Sequence, residues 1–369
     1  MTIPADWDLP AELDTPVLVV DVRGIRANLG RLQAAMDARR VALRPHAKTH
    51  KSVRVGRMQL EAGARGLTVG TLGEAEVFVA AGITDVFVAY PIRAAGAKAT
   101  RLRELHDAAP TLAVGLDAVA GAAPLAAAVS GGRHRLRVLV EVDPGDGRTG
   151  VIGAEAAVDV ARAARSAGLE VVGVFAHGGH GYRPGGSASA GADEVRSLAD
   201  AAGALESAGF EVRVVSAGST PTMVSAAAGR VTEIRAGTYA LGDRQQWLLG
   251  AIPAEGCAAV VAATTVSVFV DRVVLDAGAK SLTKDRPDWI TGYGLLPRYP
   301  DLVLERLSDY HAVVRAPDGA PRPRLGEQVA IVPNHVCPVV DLFDTFLALG
   351  ASADGPPEVW PVDARGRSR

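Results

Sequence analysis

The sequence predicts an α/β protein, a (β/α)8 TIM-type barrel followed by an antiparallel β-rich domain. Three observations lead there. Between residues 40 and 240, short β-branched runs alternate with Ala-rich helical stretches, the rhythm of parallel strands joined by right-handed crossovers. Eight such runs occur, the number that closes a barrel. After about residue 245 the rhythm stops, and long β-rich segments follow one another across Pro- and Gly-containing turns.

The first apolar run, TPVLVVDV (15–22), precedes the helical stretch RGIRANLGRLQAAMDARR. It is a ninth strand, one too many for the barrel, and is assigned to the β-rich domain. The barrel strands are VALRPH (41–46), GLTVG (66–70), DVFVAY (85–90), TLAVGL (111–116), LRVLVEV (136–142), EVVGVFA (170–176), EVRVVSA (211–217) and TEIRAG (232–237). Helices lie between them, as in GEAEVFVAAG, DAVAGAAPLAAAVS and ADEVRSLADAAGALESAG. No Gly-rich dinucleotide fingerprint follows the first strand, which sets the barrel ahead of an open doubly wound sheet. CAAVVAATTVSVFV, DRVVLDAGA, HAVVRAP and EQVAIVPNHVCPVV build the second domain. The expected boundaries are 23–245 for the barrel and 1–22 plus 246–369 for the β-rich domain. The closing DARGRSR reads as a frayed tail.

Composition narrows the function classes. Of 369 residues 48% are hydrophobic and 22% charged, ordinary for a protein with a real core. Lys plus Arg (39) nearly balances Asp plus Glu (41), so no global field favours nucleic acid or a membrane surface. Cys257 and Cys337 lie far apart and form no disulfide framework, which fits a reducing, cytoplasmic setting. The start MTIPADWDLPAELDTP lacks the basic region and apolar core of a signal peptide. No apolar run approaches the roughly 20 residues of a membrane span.

In a barrel the reactive groups sit at the C-terminal ends of the strands. The first strand ends in RPHAKTHK, with Lys48. A later one ends in Glu141-Val142-Asp143 and continues into PGDGRTG, with Arg148. The next ends in His177-Gly178-Gly179-His180-Gly181-Tyr182. The last two end in Gly218-Ser219-Thr220 and in Arg235-Ala236-Gly237-Thr238-Tyr239. A strand-end lysine is usually solvated, and a Gly or hydroxyl turn is more often a helix cap than a ligand site. Two such turns on adjacent last strands are where a phosphate sits in barrels of this kind. A lysine facing that phosphate is a Schiff-base nucleophile, and lysine, phosphate cradle and arginine or aromatic partners together are what pyridoxal phosphate requires. Around Lys48, the residues Arg44, His46, His50 and Lys51 are expected to favour a neutral amine and bind anionic groups. In the β-rich domain, His335-Val336-Cys337 read as a strand puts imidazole and sulfur on one face, where they can share a metal. A buried histidine beside a packing cysteine is the plainer reading. Pro333, Asn334 and Pro338 weaken a regular strand there. Cys257 reads as packing.

These residues carry a resemblance. The chain resembles the D-threonine aldolase and D-serine dehydratase family, which has the alanine racemase type of fold. The likeness covers nearly the whole sequence, through TPVLVVDVRGIRANLGRLQ, RPHAKTHK, VGTLGEAEVF, EVDPGDGRTG, AHGGHGY, SAGSTPT, EIRAGTYALGD, DAGAKSLTKD, ITGYG and VPNHVCPVVD; RPHAKTHK and PNHVC are the most specific. It implies that Lys48 carries pyridoxal 5'-phosphate as a Schiff base. It implies that the phosphate sits on the turns with Gly218, Ser219, Thr220, Gly237 and Thr238, joined by Tyr239. Arg148 would lie beside the phenolic oxygen, and either Tyr182 or Arg235 near the pyridine nitrogen. His335 and Cys337 would hold a divalent metal, zinc being favoured by thiolate plus imidazole and manganese found with carboxylate ligands. His180 or His177 is the implied base. The substrate would be a D-3-hydroxy amino acid, dehydrated to a keto acid and ammonia or cleaved to glycine and an aldehyde. The His-x-Cys pair tilts the choice toward dehydration. A homodimer is expected by analogy. Two alternatives stay open: a racemase, which would need a second acid/base such as Tyr293 or Tyr299, and a non-catalytic pyridoxal phosphate carrier.

Overall fold

The computed structural model describes residues 4–352 and 355–369. The chain divides into two compact units. One takes the chain up to Gly30, Thr49–Arg54 and Thr238–Arg365, and includes the first strand, β1 (Val17–Asp21). The other comprises Arg31–Lys48, Val55–Gly237 and Gly366–Arg369.

The second of these is the barrel. Its strands are β2 (Ala42–Leu43), β3 (Leu67–Val69), β4 (Val86–Pro91), β5 (Ala113–Leu116), β6 (Arg137–Glu141), β7 (Glu170–Phe175), β8 (Val214–Ala217) and β9 (Glu233–Ile234). Seven fall inside the predicted runs, and β4 extends one residue past its run, to Pro91. They pair in the order β2-β9-β8-β7-β6-β5-β4-β3, every ladder parallel. A parallel bridge between His46 and Thr68 joins the two ends of that order. The interior is filled by Phe87, Ala113, Leu139, Val172 and Phe175, with the two phenyl rings edge to face at 5.1 Å.

Arg44 is spent inside this unit. It is buried, pairs with Asp85 at 2.7 Å and Glu233 at 3.1 Å, and so bridges the starts of β4 and β9. A buried guanidinium needs that pairing, and the anion-binding role expected of Arg44 is withdrawn. The tail is not frayed either. The Gly73 amide donates to Arg369 O (3.0 Å), Thr71 Oγ1 to Arg367 O (2.5 Å) and Arg101 to Arg369 O (2.8 Å), which docks the last residues on the start of the helix Leu72–Ala80.

The β-rich unit adds β10 (Ala259–Val268), β11 (Arg272–Leu275), β12 (Val303–Leu307), β13 (Ala312–Arg315), β14 (Gln328–Ile331), β15 (Thr345–Leu349) and β16 (Glu358–Pro361). The order is β12-β13-β11-β10-β1-β15-β16, with β14 also on β10. The N-terminal strand therefore sits mid-sheet, as its excess over eight required. It runs antiparallel to β10 but parallel to β15, a departure from the all-antiparallel expectation. A long connection rather than a hairpin separates β1 from β15, and parallel pairing needs one. Val19, Val260, Ala262, Ala330 and Val332 form the core here together with Cys257. Burial pushes the Cys257 thiol far up, in keeping with packing. Lys51 belongs to this unit and pairs with Asp341 at 2.7 Å, while His50 Nδ1 accepts the Ser52 amide. The Lys51 charge is thus paired within the unit. Among the described residues no helix is long and apolar enough to cross a membrane.

Candidate functional site

Lys48 is exposed directly after buried Ala47, at the end of the first barrel strand. Its amide donates to His46 Nδ1 at 3.3 Å, so that imidazole is turned back on the chain. At the end of β6 the Asp143 carboxylate accepts the amides of Gly145 (2.8 Å), Asp146 (2.7 Å) and Gly147 (3.0 Å). This folds DPGDG into a tight turn that presents exposed Arg148. Thr149 Oγ1 donates to Glu141 Oε1 at 2.8 Å, whereas Oε2 is buried with no protein partner among the described residues. Burial raises the Glu141 carboxyl above its ordinary range.

The end of β7 brings the sequence-predicted residues together. His177 is held well below its ordinary pKa, first by burial and then by Lys48, Arg148, Arg235 and His180. Four groups that carry or can carry positive charge thus converge on one imidazole, and that imidazole stays neutral. Tyr182 lies beside it, ring centres 6.2 Å apart. The glycines of AHGGHGY are required by close approach. A Cβ on Gly178 would sit 2.8 Å from a Glu194 oxygen, and one on Gly179 2.2 Å from Asp146 Oδ1.

His180 Nε2 lies 3.2 Å from Asp193 Oδ2, and Nδ1 is buried with no protein partner among the described residues. Burial alone would raise the Asp193 carboxyl, but hydrogen bonds from Arg196 and His180 outweigh it and hold the group below its ordinary range. Assigned from this hydrogen-bond pattern, the His180 tautomer has its proton on Nε2 and an acceptor lone pair on Nδ1.

After β8, Gly218 adopts φ +84, which favours glycine, and a Cβ there would meet Ile234 at 2.9 Å. Its amide donates to Glu194 Oε1 (2.9 Å), and the Ser219 amide to Thr222 Oγ1 (2.9 Å). Both amides are committed within the protein. A phosphate at this turn would depend on hydroxyls such as Ser219 Oγ and on groups further along, Thr220 included. Glu194, on the helix Ser187–Ser207, also takes the Thr222 hydroxyl (2.7 Å) and a hydrogen bond from the Gly178 backbone. It ties the β7 loop to the β8 turn, and burial raises its pKa. Nothing in the local sequence marks it, nor Asp193, because a helical carboxylate among charged neighbours reads as solvated surface.

Arg235 is buried within the barrel, donating through Nη1 to Ser216 Oγ (2.7 Å) and through Nη2 to Ala176 O, 5.3 Å from the Phe175 ring centre. Burial lowers its pKa, against the pull of Glu233, Glu194 and Glu141. Gly237, at the end of this strand, is buried.

The β-rich unit holds Thr238 and Tyr239, in a short 3-10 turn, and the histidine–cysteine pair. His335 is not in a strand. It is the extended N-cap residue (φ −136, ψ 109) of the helix Val336–Val340, and Cys337 lies in the first turn. Pro338 falls in that same turn, where its missing N–H leaves no bond unmade. The strand expected there is therefore corrected, yet the two side chains still meet by a hydrogen bond. Thr49 Oγ1 lies 3.2 Å and Thr238 Oγ1 3.6 Å from Cys337 Sγ. His335 Nδ1 lies 2.5 Å from Asp285 Oδ2. Burial opposes a charge on His335, but Cys337, Asp285 and Asp243 outweigh it and push its pKa up to about 11. Asp243 accepts the amides of Gln246 (2.8 Å) and Val336 (3.0 Å), which fixes the start of the helix. No group of three or more His, Cys, Asp or Glu side chains poised for a metal occurs among the described residues. The pair would leave coordination positions open, as a catalytic metal requires.

Two family models match the chain. Residues 20–245 match the family described as alanine racemase, N-terminal domain, and residues 258–349 match a serine dehydratase domain. D-threo-3-hydroxyaspartate dehydratase of Delftia sp. (strain HT23) is 35% identical over 94% of this chain and 97% of its own. Its structure has a TM-score of 0.86 at 33% identity over 95% of this chain and 97% of that one. D-threonine aldolase of an Arthrobacter species is 35% identical over 97% of this chain and 94% of its own. The crystal structure of D-threonine aldolase from Filomicrobium marinum covers 99% of both chains, with a TM-score of 0.84 and 30% identity.

Proposed function

The chain belongs to the D-threonine aldolase and D-serine dehydratase family of pyridoxal-phosphate lyases, built on the alanine racemase fold, and on that premise we propose that it dehydrates D-3-hydroxy amino acids with the help of a divalent metal. The observation that supports the reading is the set of strand-end groups, exposed Lys48 and Arg148 and buried Arg235, whose charges all act on His177. A cofactor with a phosphate and a phenolate fits such a cationic mouth, and exposed Lys48 supplies the amine. Arg148 and the hydroxyl turn at Ser219 and Thr220, with Gly218, Gly237, Thr238 and Tyr239, would hold it, Tyr182 or Arg235 lying toward the pyridine nitrogen. Pyridoxal phosphate supplies an electron sink at the substrate's α-carbon. A metal on His335 and Cys337 supplies a Lewis acid for the β-hydroxyl. Imidazole with sulfur favours zinc over manganese, and solved structures of the Delftia dehydratase include a cysteine-to-alanine mutant in a metal-free form.

For dehydration, Lys48 Nζ would take the α-proton of the substrate and the β-hydroxyl would leave as water; the released enamine, as its imine, then takes up one water and hydrolyses to the keto acid and ammonia. The aldolase reading rests on His180: its Nδ1 can take the proton of the β-hydroxyl as the Cα–Cβ bond breaks. Racemisation is less well served. Tyr299, one of its two candidate acids, donates to Glu327 Oε1 (2.5 Å), and burial and that carboxylate push its pKa up to about 12. By family analogy the enzyme works as a homodimer in the cytoplasm.

The test is a product assay with D-serine, D-threonine and D-threo-3-hydroxyaspartate after loading with pyridoxal phosphate and zinc. Keto acid plus ammonia is the expected outcome. Glycine plus aldehyde would move the assignment to the aldolases, and the L-isomer as product would overturn the lyase reading.

A further inference from the structure

We propose that Asp285 is the positioning residue of the metal pair: it accepts the Nδ1 proton of His335, fixes that ring's tautomer, and leaves Nε2 for the metal on the side of Cys337. The inference rests on the metal reading above and names a residue fifty positions away in sequence that nothing local connects to the pair.

The geometry carries it. Asp285 Oδ2 and His335 Nδ1 are 2.5 Å apart, in hydrogen-bond contact. The His335 side chain also hydrogen-bonds that of Cys337, so carboxylate and sulfur both bear on the one imidazole. Asp285, although this close to His335, does not complete a three-ligand group with His335 and Cys337.

The backbone around Asp285 is shaped for this. Thr283 adopts φ +60, unusual for a β-branched residue, and its hydroxyl accepts the Asp285 amide at 2.7 Å. That turn sets the direction of the next carboxylate. A histidine ligand generally donates its second ring N–H to such a partner, and loss of the partner weakens metal binding by about 10- to 100-fold.

The experiment measures zinc affinity by competition with a chelator, with metal content read by mass spectrometry. It uses the full chain as wild type, Asp285→Ala, Asp285→Asn and Cys337→Ala. Zinc should bind about 10- to 100-fold more weakly to Asp285→Ala. Asp285→Asn, which keeps an acceptor oxygen without the charge, should fall between the two. Circular dichroism and cooperative melting of the metal-free proteins should show all three Asp285 forms folded, which separates positioning from a folding defect. Wild-type affinity in Asp285→Ala, with binding lost in Cys337→Ala, would overturn this inference and leave the metal reading standing. Loss as complete as in Cys337→Ala would make Asp285 a ligand and overturn its positioning role. Wild-type affinity in Cys337→Ala would overturn the metal reading itself.

Discussion

Glu194 offers the sharpest perturbation of the barrel mouth. It accepts Gly218 N–H at 2.9 Å, the Thr222 hydroxyl at 2.7 Å and a backbone hydrogen bond from Gly178, and it is fully buried. Replacing it with Ala strips the acceptor from two buried amides and one hydroxyl. The hydroxyl can turn toward Ser219 Oγ, 3.1 Å away. Each of the two amides left unpaired costs about 1–3 kcal/mol. Relief of the buried carboxylate's own desolvation offsets part of that, so a net loss of about 2–4 kcal/mol is expected. Glu194→Gln keeps one acceptor for Gly218 and can turn its amino group toward Thr222 Oγ1, so it should lose less than half as much. Denaturant unfolding measures the stabilities, and titration with pyridoxal phosphate measures the consequence for the β8 turn. A Glu194→Ala protein should bind the cofactor at least about tenfold more weakly, equivalent to ~1.4 kcal/mol. An Ala variant within about 0.5 kcal/mol of wild type, the range of an ordinary surface substitution, would show that Glu194 does not tie the two loops together.

Three further outcomes are expected. Glu233→Gln, which leaves Arg44 with Asp85 as its remaining carboxylate partner, should destabilise the barrel by about 1–3 kcal/mol in denaturant melts. His177 has a folded pKa well below its ordinary 6.5, so the unfolded chain takes up more protons as the solution is acidified. Its contribution to stability is complete above pH ~6.5 and is lost as pH falls toward the lowered value, and His177→Gln should flatten the stability–pH curve in that window. Dialysis against EDTA should abolish turnover, with zinc restoring it; undiminished turnover after stripping would favour a racemase over either lyase.

Much of the barrel could be read from the chain because its strands are short β-branched runs set apart by Ala-rich helices, a periodicity that survives without tertiary information. The ninth strand was legible by the same logic, since eight strands already close the ring. The candidate reactive residues were legible where they follow strands, and the charges of Lys48, Arg148, Arg235 and His180 all act on His177. What stayed hidden is what holds them. Glu194 and Asp193 lie on a helix and Asp285 in a loop, distant in sequence from the groups they touch, and a carboxylate carries no local sign of its partner. The amides of Gly218 and Ser219 looked like phosphate donors because the partners that occupy them, Glu194 and Thr222, lie outside the motif. The His-x-Cys segment, read as a strand that Pro333, Asn334 and Pro338 weaken, is a helix start, and Pro338 suits it because proline is tolerated in a first turn.

The central claim is that Lys48 carries the cofactor. Reduction of the pyridoxal-phosphate-loaded protein with borohydride, followed by proteolysis and mass spectrometry, tests it directly. The account predicts a phosphopyridoxyl label on the peptide containing Lys48, and its loss in Lys48→Ala along with the visible absorption of the loaded protein. A label on another lysine, or an unchanged spectrum in Lys48→Ala, would contradict it.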